Sequence, residues 1–472
     1  MGKGKKLILL LLVTAVLVGG YFAAKHFLKD DDAQDDAAGT VPVGAMQTDD
    51  VAGILYVCGE DKIELEKEGD TWRLKADGAF PVNQAYADTM AADAANLQAV
   101  RLVSESADDF AQYGLDAPET AYVFTLTDGS QVTYYIGNYN SFGSTYYMNV
   151  AGTEKIYLIS GDLLDDFSHD LRALADVDDM RTVSTQDVRE LTLTLDGKTT
   201  HLFYAPDGLD TVYSDLFTWF LDEKTPADAT AANDLVGKAA SYASLGCESY
   251  KADEAALSSY GLDAPALTAK FVCTVSEEKE TGETDDDGNA VTETVTREET
   301  VTLLVGNASK DGSLYAKTDA SDVVYLIGAD YLQTLRDFDT QSLRNKRVCA
   351  VKSTDVESAD VTIGGKTSTI TVTHTGDAPA YALDGSKIDA EQYDAFFAAV
   401  QSINAESFAD KYASAQDATI VVTFHTSRPG FETVTLRLAP YDRSFYIDDH
   451  GALVNKRDAE QIVKTFESIG EK

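Results

Sequence analysis

Short runs of alternating apolar and polar residues follow one another along most of this chain, and a few segments place apolar residues at helical spacing instead. Near the start, Val51–Cys58 and an alternating run after it predict a β-hairpin. Apolar positions three and four residues apart after Asn83 then predict a helix with Asn83 as its N-cap. Strand-like runs between residues 121 and 159, and a short helix over residues 161–174, complete this first pattern.

The pattern then returns, and one phrase of six residues marks both copies. The phrase comprises Tyr113, Gly114, Leu115, Asp116, Ala117 and Pro118, and it recurs as Tyr260, Gly261, Leu262, Asp263, Ala264 and Pro265. Glycine permits positive φ, proline fixes φ, and aspartate caps a turn through its carboxylate. We therefore interpret the phrase as a structural corner rather than a ligand site, and its recurrence indicates duplication of a structural unit.

A third, diverged copy begins near Val356, and the residues from Phe408 onward replace the phrase there. Asp389 followed by Gln392 resembles a capping box at the start of its helix. The predicted fold class is α+β: an N-terminal transmembrane helix, then three repeated modules of β-hairpin, helix, four-strand antiparallel meander and helix. The predicted modules are residues 49–185, residues 186–354 with an acidic hairpin insertion at 277–299, and residues 355–472.

The N-terminal segment from Leu7 to Ala24 contains no charged residue. Eighteen helical residues span about 27 Å, close to the thickness of a hydrocarbon core. Three lysines precede the segment and an acidic stretch follows it, which favours a cytoplasmic N-terminus. We predict a cytoplasmic tail (1–6), a transmembrane helix (7–28), an acidic linker (29–48) and an extracytoplasmic remainder. A cleaved signal peptide has the same basic and apolar order and is the alternative.

Charge and cysteine spacing exclude several classes of function. The formal net charge is −41, from 38 basic and 79 acidic residues, and such a surface repels the phosphate backbone of nucleic acids. The four cysteines show no C-x-x-C spacing, which argues against the common zinc and redox motifs. Neither a nucleotide-binding loop nor a nucleophile elbow is found, so the sequence predicts no catalytic residue and no cofactor.

Two acidic clusters are candidates for chemistry. Glu283, Asp285 and Asp287 match the first positions of a calcium loop, but Thr294 stands where a bidentate glutamate is required, so a solvated hairpin tip is favoured. Asp448 and Asp449 precede His450 and offer an acid and a base. Because a glycine follows directly and strand-like runs flank this cluster, we interpret it as a hairpin turn.

Several short motifs together resemble one bacterial family of membrane-anchored proteins. They are Trp72-Arg73-Leu74 at a hairpin end, Pro81-Val82 before a helix, the repeated phrase, Ile136-Gly137-Asn138, Tyr157-Leu158-Ile159 and Leu171-Arg172. The combination is similar to the family catalogued as domain of unknown function 4340. The resemblance implies an extracytoplasmic accessory role beside ABC-type transport components of the gliding-motility kind. It implies no catalytic residue.

Two hypotheses of different classes follow. The first is a non-enzymatic, single-pass membrane protein that serves as an accessory or scaffold subunit of an ABC-type envelope transport complex. The alternative is a cell-surface glycan-binding module or hydrolase, which needs exposed aromatic rings and paired carboxylates in one groove. Burial of Trp72 and Trp219 would count against the alternative, because a buried ring cannot stack on a sugar.

Overall fold

The computed structural model describes residues 40–284, 290–374, 378–409 and 417–469, without the side chains of residues 282–284. The chain divides into two compact units, of which unit 1 ends at Asp176 and unit 2 begins at Val177. Strands hold many more of the described residues than helices do, and every strand pairs antiparallel to its neighbours.

Unit 1 contains ten strands and three α-helices among its described residues. The strands are β1 (Val41–Pro42), β2 (Val51–Cys58), β3 (Asp61–Glu68), β4 (Thr71–Leu74), β5 (Gln98–Ala99), β6 (Arg101–Ser104), β7 (Thr120–Leu126), β8 (Gln131–Asn140), β9 (Thr145–Val150) and β10 (Ile156–Ile159). The helices are α1 (Gln84–Ala95), α2 (Asp162–Asp166) and α3 (Leu171–Leu174), with 3₁₀ turns at Thr48–Asp50 and Ala111–Tyr113.

One sheet of eight strands forms the body of unit 1, in the order β4-β3-β2-β7-β8-β9-β10-β6. Its core includes Trp72, Tyr56, Tyr134 and Phe124, all almost fully buried. Asn83 caps α1, because its side chain accepts a hydrogen bond from the backbone N–H of Tyr86. This confirms the predicted N-cap, and the buried residues of α1 pack against the sheet.

The described part of unit 2 contains two larger sheets, each preceded by a 3₁₀ turn (Thr185–Asp187 and Ser353–Asp355). The strands of the first are β11 (Val188–Leu195), β12 (Lys198–Tyr204), β13 (Trp219–Asp222), β14 (Thr225–Pro226), β15 (Ser244–Ser249), β16 (Leu267–Thr284), β17 (Ala290–Ala308), β18 (Leu314–Thr318) and β19 (Val324–Ile327). Those of the second are β20 (Val356–Ile363), β21 (Lys366–Thr373), β22 (Ala380–Leu383), β23 (Ser386–Ile388), β24 (Ala405–Phe408), β25 (Ile420–Thr426), β26 (Thr433–Pro440), β27 (Phe445–Ile447) and β28 (Ala452–Asn455).

The helices of unit 2 are short, and none of those described exceeds 12 residues. They are α4 (Ala229–Ala240), α5 (Glu254–Ser259), α6 (Tyr331–Arg336), α7 (Ala390–Gln401) and α8 (Lys456–Glu467), with a 3₁₀ turn at Thr340–Leu343. The sheet orders are β14-β13-β12-β11-β16-β17-β18-β19-β15 and β23-β22-β21-β20-β25-β26-β27-β28-β24. The opening strand of each large sheet therefore lies at its middle, and the strand after the long helix lies at its far edge.

The predicted α+β fold class, with its repeated order of hairpin, helix, four-strand meander and helix, is wrong. The hairpin and the meander are one continuous antiparallel sheet, because β2 pairs with β7 as well as with β3. The described chain is therefore mainly β. Periodicity identifies a strand but not the strand with which it pairs. The prediction therefore treated the hairpin and the meander as separate parts of the fold.

No helix of the described residues is long and apolar enough to cross a membrane. The predicted transmembrane helix over residues 7–28 lies outside the described residues. Residues 29–39 of the predicted acidic linker (29–48) also lie outside the described residues.

Candidate functional site

A pocket of about 550 Å³ lies within unit 2. Its walls come from the loop before β13, from the connector between the two sheets (residues 344–349), from the end of β24, from β26 and from the turn between β27 and β28. The buried residues Val212 and Phe217 form an apolar cluster with Phe220 and Ala350 beside this connector. The volume is typical of a small-ligand pocket and too small for a folded partner.

The charged residues that line the pocket are more often basic than acidic. Four cationic side chains line it, against two carboxylates: Lys224, Arg344, Arg347 and Arg437 against Asp448 and Asp449. The whole chain has the opposite balance, 38 basic to 79 acidic residues. A concave surface with an excess of one sign of charge concentrates ligands of the other sign, so the pocket favours an anionic group.

Two backbone bridges hold the connector that carries Arg344 and Arg347. Arg344 pairs with Ala227 beside the first sheet, and Arg347 pairs with Asn404 next to the second. The backbone N–H of Ala405 also donates to the carbonyl oxygen of Lys346 at 2.7 Å. The positions of both arginines are therefore fixed by the main chain on either side of the pocket.

Arg344 has the most defined geometry of the cationic residues. Its guanidinium carbon lies 3.6 Å from the centroid of the Phe408 ring, and its Nη2 donates to the carbonyl oxygen of His450 at 2.6 Å. A cation over an aromatic face is attracted by the negative charge of that face. The bond to His450 uses one of five guanidinium N–H donors, and a guanidinium matches a carboxylate or phosphate with two parallel bonds.

The turn between β27 and β28 contains the predicted acidic cluster. The Asp448 carboxylate accepts hydrogen bonds from the backbone N–H groups of His450 (2.8 Å) and Ala452 (2.7 Å). Burial raises the pKa of the Asp448 carboxyl, and these two donors act in the opposite direction. Asp449 forms an ion pair with Arg437 at 3.5 Å. The predicted hairpin turn is confirmed, because the bonds of Asp448 are those that close a turn.

The repeated phrase lies against another repeated motif. A Cβ atom added to Gly137 would lie 2.2 Å from the carbonyl oxygen of Tyr113, and one added to Gly306 would lie 2.1 Å from that of Tyr260. The backbone N–H of Asn307 donates to the same Tyr260 oxygen at 2.8 Å. The phrase and the strand end Ile-Gly-Asn, which recur together in the sequence, are therefore in contact in both copies.

The remaining residues of the phrase have the environment of a packed turn. Gly114 and Gly261 have φ of 69° and 70°, the left-handed region that favours glycine. Leu115 and Leu262 are buried, whereas Asp116, Asp263, Pro118 and Pro265 are partly or fully exposed. None of the predicted turn residues (Tyr113, Gly114, Leu115, Asp116, Pro118, Tyr260, Gly261, Leu262, Asp263, Pro265), all of them described, lines the pocket.

The calcium-like candidates are not brought into any described site. Asp285, Asp287 and the side chain of Glu283 lie outside the described residues. Among the residues that the structure does describe, no group of three or more histidine, cysteine or acidic side chains is placed to hold a metal ion.

No sequence pattern predicted the pocket. Its charged residues lie in four segments of the chain, and the cluster at Asp448 and Asp449 was interpreted as a turn and not as part of a site with Arg344. One indication was present: Phe408, on which Arg344 stacks, stands where the third copy departs from the repeated phrase. The third copy therefore diverges from the repeat at a residue that lines the pocket.

The sequence matches the family described as Domain of unknown function (DUF4340) over residues 72–265 and again over residues 219–419. The chain belongs to this family. The two matches begin at Trp72 and Trp219, which occupy corresponding strands in the two units, β4 and β13. Neither a curated protein nor a solved structure shows significant similarity to the chain. Lys224, Arg344 and Phe408 fall within the second match, whereas the turn at Asp448 lies beyond it.

A pair of carboxyl groups in unit 1 is a second cluster of titratable side chains. Asp166 at the end of α2 is hydrogen-bonded to Asp93 of α1, and its carbonyl oxygen lies 2.9 Å from Nδ1 of His169. Burial, followed by the neighbouring Asp93 charge, raises the pKa of Asp166 to about 6. Two carboxyl groups in contact resist simultaneous ionisation, so Asp166 holds a proton below that pH and shares it with Asp93 through their hydrogen bond.

We expect Asp166→Asn to stabilise unit 1 at pH 8 by about 1 kcal/mol, after allowance for solvent screening of a half-exposed group. The pKa of Asp166 is raised above that of the unfolded chain, so its contribution to stability is lost as the pH rises through about 6. The amide removes this loss and keeps a donor for Asp93. The measurement is hydrogen exchange of unit 1 peptides at pH 8 and pH 5, corrected for intrinsic exchange.

The advantage of the variant should shrink at pH 5, where wild-type Asp166 is largely protonated. Asp108→Asn, at an exposed loop position of the same unit, is the matched control and should change stability little at either pH. An equal gain at both pH values would contradict the shared-proton explanation.

Proposed function

We propose that the chain is a non-enzymatic, extracytoplasmic protein of the cell envelope, anchored by residues 7–28, that acts as an accessory subunit of an ABC-type transport complex. In this proposal the pocket of unit 2 binds an acidic segment of a partner subunit. The observation that carries the proposal is the excess of positive charge around Arg344 in a chain of net charge −41.

The pocket has an excess of positive charge, to which an acidic segment is attracted, whereas the chain as a whole is strongly acidic. A chain of net charge −41 repels an acidic partner at long range, so productive contact requires a local reversal of sign. Arg344 is held by Phe408 and by the main chain on both sides, so little side-chain freedom remains to be lost on binding. The apolar residues Phe217 and Phe431 line the same pocket and suit an apolar side chain next to the carboxylate.

The state of Asp448 supports a binding role over a catalytic one. Its carboxylate accepts the two backbone bonds that close its turn, and Asp449 is paired with Arg437. An acid or base must reach the reacting proton within hydrogen-bond distance, and one oxygen of each carboxylate already has a structural partner.

One observation favours the alternative function, a glycan-binding module or hydrolase. Asp448 and Asp449 both line the pocket, as paired carboxylates in a glycosidase do. Against it, Trp72 and Trp219 are only 1% and 4% exposed and cannot stack on a sugar. This alternative would be favoured if the wild-type chain bound wall fragments and the Asp449→Asn variant did not.

The test is purification of the tagged full chain from native membranes in mild detergent, with identification of the proteins that copurify. We expect ABC permease or ATPase subunits, and we expect Arg344→Gln combined with Arg347→Gln to reduce their recovery about tenfold or more. Because the attraction is between charges, recovery should also fall as the salt concentration of the wash rises.

Arg336→Gln is the matched control, since it also removes an exposed arginine of unit 2, one paired with Asp196 outside the pocket. The control should copurify the same subunits as wild type. Equal recovery from the pocket variant and wild type, or a wild-type chain that purifies alone, would refute the proposal. Circular dichroism of each variant checks that folding is preserved.

A further inference from the structure

The hairpin of β8 and β9 in unit 1 is free of charge. No acidic or basic residue occurs from Ser130 to Thr153, in a chain where 25% of residues are charged. The same stretch contains Tyr134, Tyr135, Tyr139, Phe142, Tyr146 and Tyr147. Tyrosine and phenylalanine without charge are the composition of an interaction surface, and solubility alone does not require them.

The tip of this hairpin presents aromatic rings to solvent. Phe142 is fully exposed and Tyr139 is 54% exposed. The Tyr139 ring contacts the Tyr146 ring at a centroid distance of 5.1 Å. Tyr146 is itself partly buried against the core of unit 1, so Tyr139 and Phe142 alone are called the aromatic tip below.

The turn that carries Phe142 has a defined conformation. The Asn140 side chain accepts a hydrogen bond from the backbone N–H of Phe142 at 3.1 Å, and the carbonyl oxygen of Asn140 accepts one from Gly143 at 3.4 Å. Ser144 follows with φ of 52°, a left-handed conformation that is uncommon without glycine. The turn thus defines the backbone at Phe142 and places this residue at its apex.

The fold does not require an aromatic residue at this turn. The corresponding turn of unit 2, between β17 and β18, contains Lys310 and Asp311. It is closed by the Asp311 carboxylate, which accepts bonds from the hydroxyl of Ser309 and the backbone N–H of Ser313. Polar residues therefore suffice at the same place in the sheet, and the exposure of Phe142 calls for a partner.

We propose that the aromatic tip inserts into the interfacial region of the lipid bilayer to which the chain is anchored. The proposal rests on the anchor of the proposed function. Residues 29–40 link the predicted transmembrane helix to β1 and reach up to about 40 Å when extended. That is nearly three times the radius of gyration of about 14 Å for a compact unit of this size, so the linker is long enough for a face of unit 1 other than the one that carries β1 to approach the membrane.

Charge selects the hairpin as the side of unit 1 that approaches a bilayer most readily. Anionic lipids repel acidic surfaces, and unit 1 carries acidic residues on β3 and in most of its other turns and loops. The uncharged hairpin escapes that repulsion. Tyrosine combines an apolar ring with a polar hydroxyl and is enriched at membrane interfaces, while the ring of Phe142 supplies the apolar contact.

The experiment uses the full chain carrying Phe142→Trp, reconstituted into phosphatidylcholine vesicles with or without acyl chains brominated near the head group. Trp72 and Trp219 are buried in their cores and contribute a constant background, which the wild-type chain measures. We expect the introduced tryptophan to emit at shorter wavelength than a solvated indole and to be quenched by the brominated lipid. Val57→Trp, an exposed site on β2 of the same unit, should be neither shifted nor quenched.

Each other outcome overturns the proposal in a distinguishable way. Flotation of the chain with the vesicles and no quenching at position 142 rejects insertion of the aromatic tip and leaves the anchor intact. Failure to float rejects the anchor and the tip together. A blue shift that appears only in a detergent-purified complex, without quenching in vesicles, assigns the tip to a protein partner. None of these results depends on the pocket, which the Arg344 variant tests separately.

Discussion

Replacing Gly306 by alanine is expected to destabilise unit 2 by about 3 kcal/mol. The added Cβ would lie 2.1 Å from the carbonyl oxygen of Tyr260, far inside van der Waals contact. That oxygen cannot easily retreat, because it is main chain and accepts the N–H of Asn307 at 2.8 Å. Hydrogen exchange of peptides from β16 to β19, compared with wild type, measures the loss within unit 2.

Gly237→Ala in α4 is the control for this substitution. No atom lies within 4 Å of its added Cβ, and alanine is the better helix former, so a gain of about 0.5–1 kcal/mol is expected. If Gly306→Ala were as stable as wild type, the phrase would not be held against the strand end in the way described here. Gly137→Ala should repeat the loss in unit 1, because its Cβ would lie 2.2 Å from the oxygen of Tyr113.

Trp72→Ala is expected to destabilise unit 1 by about 3–5 kcal/mol, the range for removing a large aromatic side chain from a core. The ring is 1% exposed, and its Nε1 donates to Asp88 of α1 at 2.9 Å. The backbone N–H of Trp72 also donates to the Gln84 side chain at 2.7 Å. Trp72 therefore fastens the edge of the sheet to the start of α1.

Trp72→Phe separates packing from hydrogen bonding at this site. Phenylalanine keeps most of the buried ring but loses the bond to Asp88, so a smaller loss of about 1–2 kcal/mol is expected. Hydrogen exchange of peptides from α1 and β2 follows unit 1 without using the removed tryptophan as the reporter. Equal losses from the two variants would show that the bond, and not the packed ring, dominates.

The sequence was sufficient for individual elements but not for their pairing. The strand at Val51–Cys58 and the cap at Asn83 were predicted, since both depend on neighbours along the chain. The pairing of β2 with β7 was missed, because it joins segments that no local pattern relates. Tyr86 is one of the apolar positions whose spacing predicted α1, yet it is 39% exposed and lies against His169.

The candidate pocket could not be predicted from the sequence, for the same reason. Arg344 and Phe408 are separated by the strands and the helix that open the third copy, and their contact follows from the packing inside unit 2. Asp448 was noticed and correctly interpreted as part of a turn, because its bonds are local. A guanidinium over a distant ring leaves no spacing that a sequence pattern can detect.

The central position of the opening strand in each sheet has a consequence for how the chain folds. Val51 pairs with Leu126, Val188 with Cys273 and Val356 with Thr426. In each sheet, the first hairpin can therefore complete its pairing only after a much later strand has been synthesised. Contacts so distant in sequence slow folding, because the intervening loop must close before they form. During that delay one side of each new hairpin has unpaired N–H and C=O groups, which is the state most prone to pair with the wrong chain.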